Sequence, residues 1–170
     1  MAVRPILRWP EPRLSKPAAA VGAVTPEVAA IWNDMIDTMD AMPGVGLAAP
    51  QIGISLRLAV VDASNERGAA VRLADPEIVR ASDAFRRYEE ASPCLPGVSA
   101  EVTRPAEVTV AFTDETGRRV TRDFEGLWAT SVQHQIDHLA GRLYVHRLSR
   151  LKRERLFKRA AKAGQRVGNA

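Results

Sequence analysis

The stretch His134-Gln135-Ile136-Asp137-His138 places two histidines four residues apart. On a helix, that spacing projects both imidazoles from one face, within reach of a single metal ion. In the H-E-x-x-H pattern of metallohydrolases, the residue after the first histidine is a glutamate that takes a proton from the attacking water. Here that residue is Gln135. An amide holds a water by hydrogen bonds but has no basic form near neutral pH. The spacing therefore predicts a metal site whose usual general base has been replaced.

Two other features bear on chemistry. Cys94 is the lone cysteine, so no internal disulfide can form, and a reducing, cytoplasmic setting is expected. From Arg147 to Arg166 the chain carries nine basic residues against Glu154 alone, which leaves the rest mildly acidic. A basic tail on an acidic body points to a polyanion such as RNA, or else to a solvated helix that keeps the protein soluble.

The elements that must position these groups follow from pattern. At 170 residues, 46% hydrophobic and 26% charged, the chain has the size and composition of one globular domain spanning 1–170. No apolar run approaches the roughly 20 residues needed to cross a bilayer, and no export signal is evident, so no membrane partner is expected. Thr25-Pro26 reads as a helix start, with Val28, Ile31, Met35 and Met39 at helical spacing up to about Met42. A loop of small residues, Gly44 to Gln51, follows. Strands are expected over Leu56–Val61, Val71–Leu73, Phe85–Glu90, Val108–Phe112 and Val120–Phe124, with a turn at Asp114–Gly117. A helix from Leu127 to Ala140, closed by Gly141, carries both histidines, and Ser149 caps a basic helix over about 149–163. The sum is an α+β domain of mostly antiparallel strands packed around the histidine-bearing helix.

Three segments, Gly44-Val45-Gly46-Leu47-Ala48-Ala49-Pro50-Gln51, Glu90 to Val98, and Gln133 to Leu139, resemble in order the peptide deformylase patterns G-x-G-L-A-A-x-Q, E-G-C-L-S-x-P and Q-H-E-x-D-H. The resemblance extends over nearly the whole chain and implies a peptide deformylase-like fold. It implies a divalent metal, iron or zinc, held by His134 and His138 with the motif cysteine, and action on the N-formyl-methionyl end of new peptides. It makes Gln51 a donor to the oxyanion formed at the formyl carbon. It gives Gly44, Val45, Gly46, Leu127, Thr130 and Ser131 to the substrate cleft, where two hydroxyls make a less apolar pocket unless they bond back to their own helix. Glu90 and Arg104 become a supporting ion pair. His146 has no partner by spacing and reads as surface or packing. The basic helix becomes a contact for ribosome or RNA.

The second motif has two registers. Aligned without gaps, Ser92 falls where the family has its ligand cysteine and Pro93 where it has the residue that offers a backbone N–H. A serine hydroxyl is a far weaker ligand than a thiolate, and proline has no N–H. The rival register matches Cys94-Leu95 to the cysteine-leucine pair at the expense of a two-residue deletion. On a strand, positions 92 and 94 share a face about 6.6 Å apart, too far to exchange roles without a local distortion. The gapless register is favoured. It predicts a degenerate site, with metal absent or labile and weak or no deformylation, whereas the rival predicts an active metal-dependent amidase using His134, His138 and Cys94.

Overall fold

Thr25 opens the first helix by accepting the Val28 N–H at 3.3 Å, and Pro26 occupies the first turn, where no N–H is needed. Helix α1 runs Pro26–Ala41 and buries Val28, Trp32, Met35 and Met39 along one stripe, with Trp32 deeper than Ile31. The computed structural model describes residues 2–168, and the side chains of residues 2–165.

After α1 come strand β1 (Gly46–Ala48), a 3₁₀ turn at Ala49–Ile52, and β2 (Leu58–Val61). They join β3 (Val71–Ala81), β6 (Glu107–Thr113) and β7 (Arg119–Glu125) in an antiparallel sheet of order β1-β2-β3-β6-β7. Every residue of β2 is buried because both faces of the sheet are covered there. Leu58 and Val60 face α1, while Ala59 and Val61 face helix α2 (Gly126–Leu139), whose Ala129, Val132 and Leu139 complete that layer. The histidine helix is thus fixed against the middle of the sheet.

Strands β4 (Phe85–Glu90) and β5 (Ala100–Pro105) form a separate antiparallel pair. Beneath it lies a third apolar cluster built from Leu14, Cys94, Leu95, Val98 and Val102 with Leu143, Tyr144, Leu156 and Ala160. The last two come from α3 (Arg150–Gly168), which Trp9 also holds by stacking on Phe157 at 4.3 Å.

The architecture is the expected α+β arrangement, with local differences that have physical causes. Strand β3 continues to Ala81 rather than stopping at Leu73. Pro76 cannot donate to the ladder and Asp75 has φ 48°, so the pairing with β6 shifts register between Ala74 and Glu77 and the strand's second half shows no alternation. Short β1 and polar β5 were not anticipated. Strand β2 begins at Leu58 because Leu56 pairs with Ala19 instead. Helix α3 is capped by Ser149, which accepts the Lys152 N–H, and extends past Ala163 to Gly168. The Arg166 side chain of the basic cluster lies outside the described residues.

Candidate active site

One turn of α2 separates His134 from His138, whose rings sit 5.0 Å apart between centroids. His134 Nδ1 meets Glu90 Oε1 at 2.8 Å. A carboxylate accepts, so Nδ1 carries the proton and Nε2 keeps its lone pair, the tautomer suited to a ligand. Tyr144 stacks on the same ring at 5.8 Å. Burial, then the charges of Glu90 and Glu89, push the Tyr144 hydroxyl up to about 12, so it stays neutral. His138 is 1% exposed, and neither of its ring nitrogens has a partner among the described residues. Burial, reinforced by the neighbouring His134, pushes it well below the ordinary imidazole range. A neutral, buried imidazole with no protein partner fits a metal ligand.

Glu90 ends β4 and is fixed by Arg104 of β5, which donates from Nε at 2.7 Å and from Nη2 at 2.9 Å. The Glu90–Arg104 pair expected from the sequence is therefore in place, and it continues further. Arg104 Nη1 donates to Asp137 at 2.9 Å, and Arg147 donates twice to the same carboxylate, at 2.8 and 2.7 Å. Burial works to raise both carboxyl groups. The His134 and Arg104 hydrogen bonds hold Glu90 below its usual range, and Arg147 with Arg104 does the same for Asp137. Sequence reasoning places Asp137 in the histidine motif and Arg147 in the basic cluster but gives neither a part in this chain of ion pairs. The available signal was that Asp137 lies three residues after His134, on a neighbouring part of the helix surface.

The segment after Glu90 leaves the sheet, so the strand spacing considered for positions 92 and 94 does not apply. Pro93 and Pro96 cannot donate, and the chain turns instead, with Leu95 N–H bonded to the Ser92 carbonyl at 3.0 Å. Ser92 is buried, and its hydroxyl oxygen accepts the Cys94 N–H at 3.3 Å. Cys94 lies fully buried in the apolar cluster, its sulfur 3.5 Å from Gln51 Nε2. Burial pushes its thiol up despite the Gln51 and Ser92 hydrogen bonds, so the neutral form prevails. Among the described residues, no three His, Cys, Asp or Glu side chains converge into a metal-holding group. The structure does not bring Cys94 to the histidines.

A cleft of about 190 Å³ opens over this arrangement. Gly44, Val45, Gly46, Gln51, Leu127, Thr130, Ser131, His134 and Gln135 all line it, as does Pro93 of the second motif, together with Tyr88 and Met42, which sequence reasoning did not assign there. Ser92, Cys94 and His138 are not among its lining residues. Ser131 does not bond back to its helix. Its hydroxyl donates to the Val45 carbonyl at 2.9 Å, tying α2 to the glycine loop. Gln51 accepts the Ala48 N–H at 2.9 Å, which aims its amide nitrogen towards Cys94. Gln135 is 4% exposed, and its carbonyl oxygen has no partner among the described residues. His146 lies outside the cleft. It accepts the Leu143 N–H at 2.9 Å and meets Phe157 edge-on, a partner that its spacing did not reveal.

Comparison with known proteins identifies the family. The profile described as "Polypeptide deformylase" matches residues 3–154. A protein of Methylocella silvestris named "Peptide deformylase" is 42% identical, over 97% of this chain and 87% of its own length. One of Bradyrhizobium diazoefficiens named "Peptide deformylase-like" is 43% identical, over 95% of each. The crystal structure of a peptide deformylase from Legionella pneumophila superposes with a TM-score of 0.93 at 38% identity, covering 99% of both chains. The ordered motifs, the histidine helix between β4 and the glycine loop, and a match over almost the entire length lead to one conclusion: the chain belongs to the peptide deformylase family.

Proposed function

We propose that this chain keeps the family's cleft for an N-formyl-methionyl or related peptide end, with weak or absent hydrolysis of the formyl group. The observation that carries this reading is Gln135, which lines the cleft with a carbonyl oxygen that has no partner among the described residues, and which the motif resemblance aligns with the family's general base. An amide at that point accepts a hydrogen bond but cannot take a proton from water. Glu90 does not replace it, since its carboxylate is committed to His134 and Arg104. Pro93 lines the cleft without an N–H to offer the oxyanion, and the Gln51 amide nitrogen is turned towards Cys94.

Peptide deformylases use a divalent metal, and His134 through Nε2 together with His138 are the residues that would hold it here. When bound, such an ion, iron or zinc, polarises the formyl oxygen and acidifies water. Two imidazoles with Ser92 as the remaining candidate make a weak donor set, which supports a labile or empty site.

The names carried by relatives favour a second reading, an active deformylase or related amidase using His134, His138 and Cys94, and they favour it more than they favour weak activity. Cys94 would then have to leave Gln51 and its apolar neighbours. Formate release from formyl-Met-Ala peptides, by protein purified without oxygen and loaded with iron or zinc, separates the two readings. Turnover in the ordinary enzymatic range of about 1–10³ s⁻¹ would reject the weak-activity reading.

The exposed basic residues of α3, among them Lys152, Arg155, Lys158, Arg159 and Lys162, support a ribosome or RNA contact, where formylated new chains emerge. No helix among the described residues is long and apolar enough to cross a membrane.

A further inference from the structure

A second cavity, of about 360 Å³, lies on the far side of the Arg104–Asp137 chain, between the end of α2 and the start of α3. Its lining is Thr103, Asp137, Arg142, Leu143, His146 and Arg147. Asp137 is the sole acid in that lining, and its two oxygens already receive three N–H groups from Arg104 and Arg147. The other polar side chains can all donate, Thr103 through a hydroxyl that can also accept. Arg142 is exposed and has no ion pair or side-chain hydrogen bond among the described residues. Arg147 spends Nε and Nη2 on Asp137, which leaves Nη1. His146 accepts the Leu143 N–H on Nδ1, so its neutral ring must carry the proton on Nε2, a donor fixed in place by the backbone.

We propose that this cavity is an anion site that takes a phosphoryl group, through Arg142, Arg147 and the His146 Nε2–H. Several donors arriving from separate residues match the three or four oxygens of a phosphate, whereas one guanidinium fork alone satisfies a carboxylate. The surroundings are positive as well. After burial, the charges of Arg153 and Arg142 are what push His146 below the ordinary imidazole range, while Glu154 is occupied by Arg150 at 2.8 Å. The site is separate from the formyl-peptide cleft and does not depend on any activity there. Its phosphoryl group has two sources, a small phosphate ester or the backbone of RNA.

The chain has three histidines, so the His146 ring resonances are readily followed by NMR in the full-length protein. The protein is titrated with inorganic phosphate, and separately with a short single-stranded RNA, at fixed pH and constant ionic strength set with chloride. A saturable His146 shift is expected, weakened about tenfold or more by Arg142→Gln and largely kept by Arg142→Lys. Arg118→Gln, exposed in the β6–β7 turn and outside the cavity lining, should leave the phosphate response unchanged. A response to phosphate and RNA alike, both lost in Arg142→Gln, assigns the site to an RNA phosphate. A response to phosphate alone assigns it to a small phosphate ester. No saturable shift with either, or equal affinity in Arg142→Gln and the wild-type chain, would overturn the proposal.

Discussion

With Nδ1 held by Glu90, His134 would have only Nε2 to give a metal, and His138 would add one nitrogen from a ring neither of whose nitrogens has a partner among the described residues. The Cys94 sulfur, protonated and turned to Gln51, adds nothing in this arrangement. Metal content measured on protein purified without oxygen should therefore be well below one per chain, easily removed by mild chelation, and unchanged by Cys94→Ser. A full complement of metal that is lost in Cys94→Ser would reject this and establish the thiolate as a ligand. Restoring the chemistry should be strongly non-additive. Gln135→Glu supplies a base, Ser92→Cys a thiolate and Pro93→Leu an N–H, the last kind of donor being worth roughly 10²–10³ in rate. A base without a firmly held metal does little, so each single change should be nearly silent in formate release and the triple change clearly active. Full activity from Gln135→Glu alone would point instead to Cys94 as a working ligand.

Where β1 meets α2, the contact depends on a missing side chain. A Cβ built on Gly46 falls 2.5 Å from Ser131 Oγ and 2.6 Å from Gln135 Nε2, closer than atoms can approach. Gly46→Ala should push the Ser131 hydroxyl and the Gln135 amide aside and disturb the Ser131–Val45 bond, with a cost of about 0.5–1.5 kcal/mol in denaturant unfolding and weakened formyl-peptide binding. Wild-type stability and binding in that variant would show the contact to be slack. The loop between β2 and β3 depends on Asp62, which accepts hydrogen bonds from Ser64 and from the Ala69 N–H. Burial opposes its charge, but these bonds and the charge of Arg67 hold the carboxyl below its ordinary value of 3.8. A depressed folded pKa contributes stability that is present above the unfolded value and lost as pH falls through the folded one. Asp62→Asn should thus cost about 1–2 kcal/mol at neutral pH, and the gap from the wild-type chain should close below pH 3.8. A gap that persists in full at pH 2 would rule this account out.

Across the whole molecule, charge and packing divide α3 lengthwise. Leu156 and Ala160 are buried and Phe157 lies under Trp9, while Lys152, Arg155, Lys158, Arg159 and Lys162 face solvent. A docked helix presenting a row of cations suits a phosphate backbone, and binding should weaken steeply as salt rises because counterions are released. Neutralising Lys152, Arg153, Arg155 and Arg159 together should reduce ribosome affinity and flatten its salt dependence, as measured by co-sedimentation. Unchanged affinity would end that reading. Arg153 is the least informative of the four, being only partly exposed.

The α1 stripe, the capping by Thr25 and Ser149, the β6–β7 hairpin and the histidine pair were all legible in the sequence, because each depends on spacing within one short segment. So was membership of the family, since three ordered motifs carry it. Pro76 hid the outer half of β3, and the polar surface of β5 concealed a strand whose Arg104 points into the interior. The sequence also left the positions of Ser92 and Cys94 open. Only the tertiary structure decided that the chain turns after Glu90 and buries Cys94 among residues from Leu14 to Ala160, because that choice depends on apolar neighbours contributed from distant parts of the chain. Apart from the Glu90–Arg104 pair, which the family resemblance already implied, the path from His134 through Glu90, Arg104 and Asp137 to Arg147 has the same origin. Its members are far apart in sequence, and buried charges pair with whatever opposite charge the packing brings within reach.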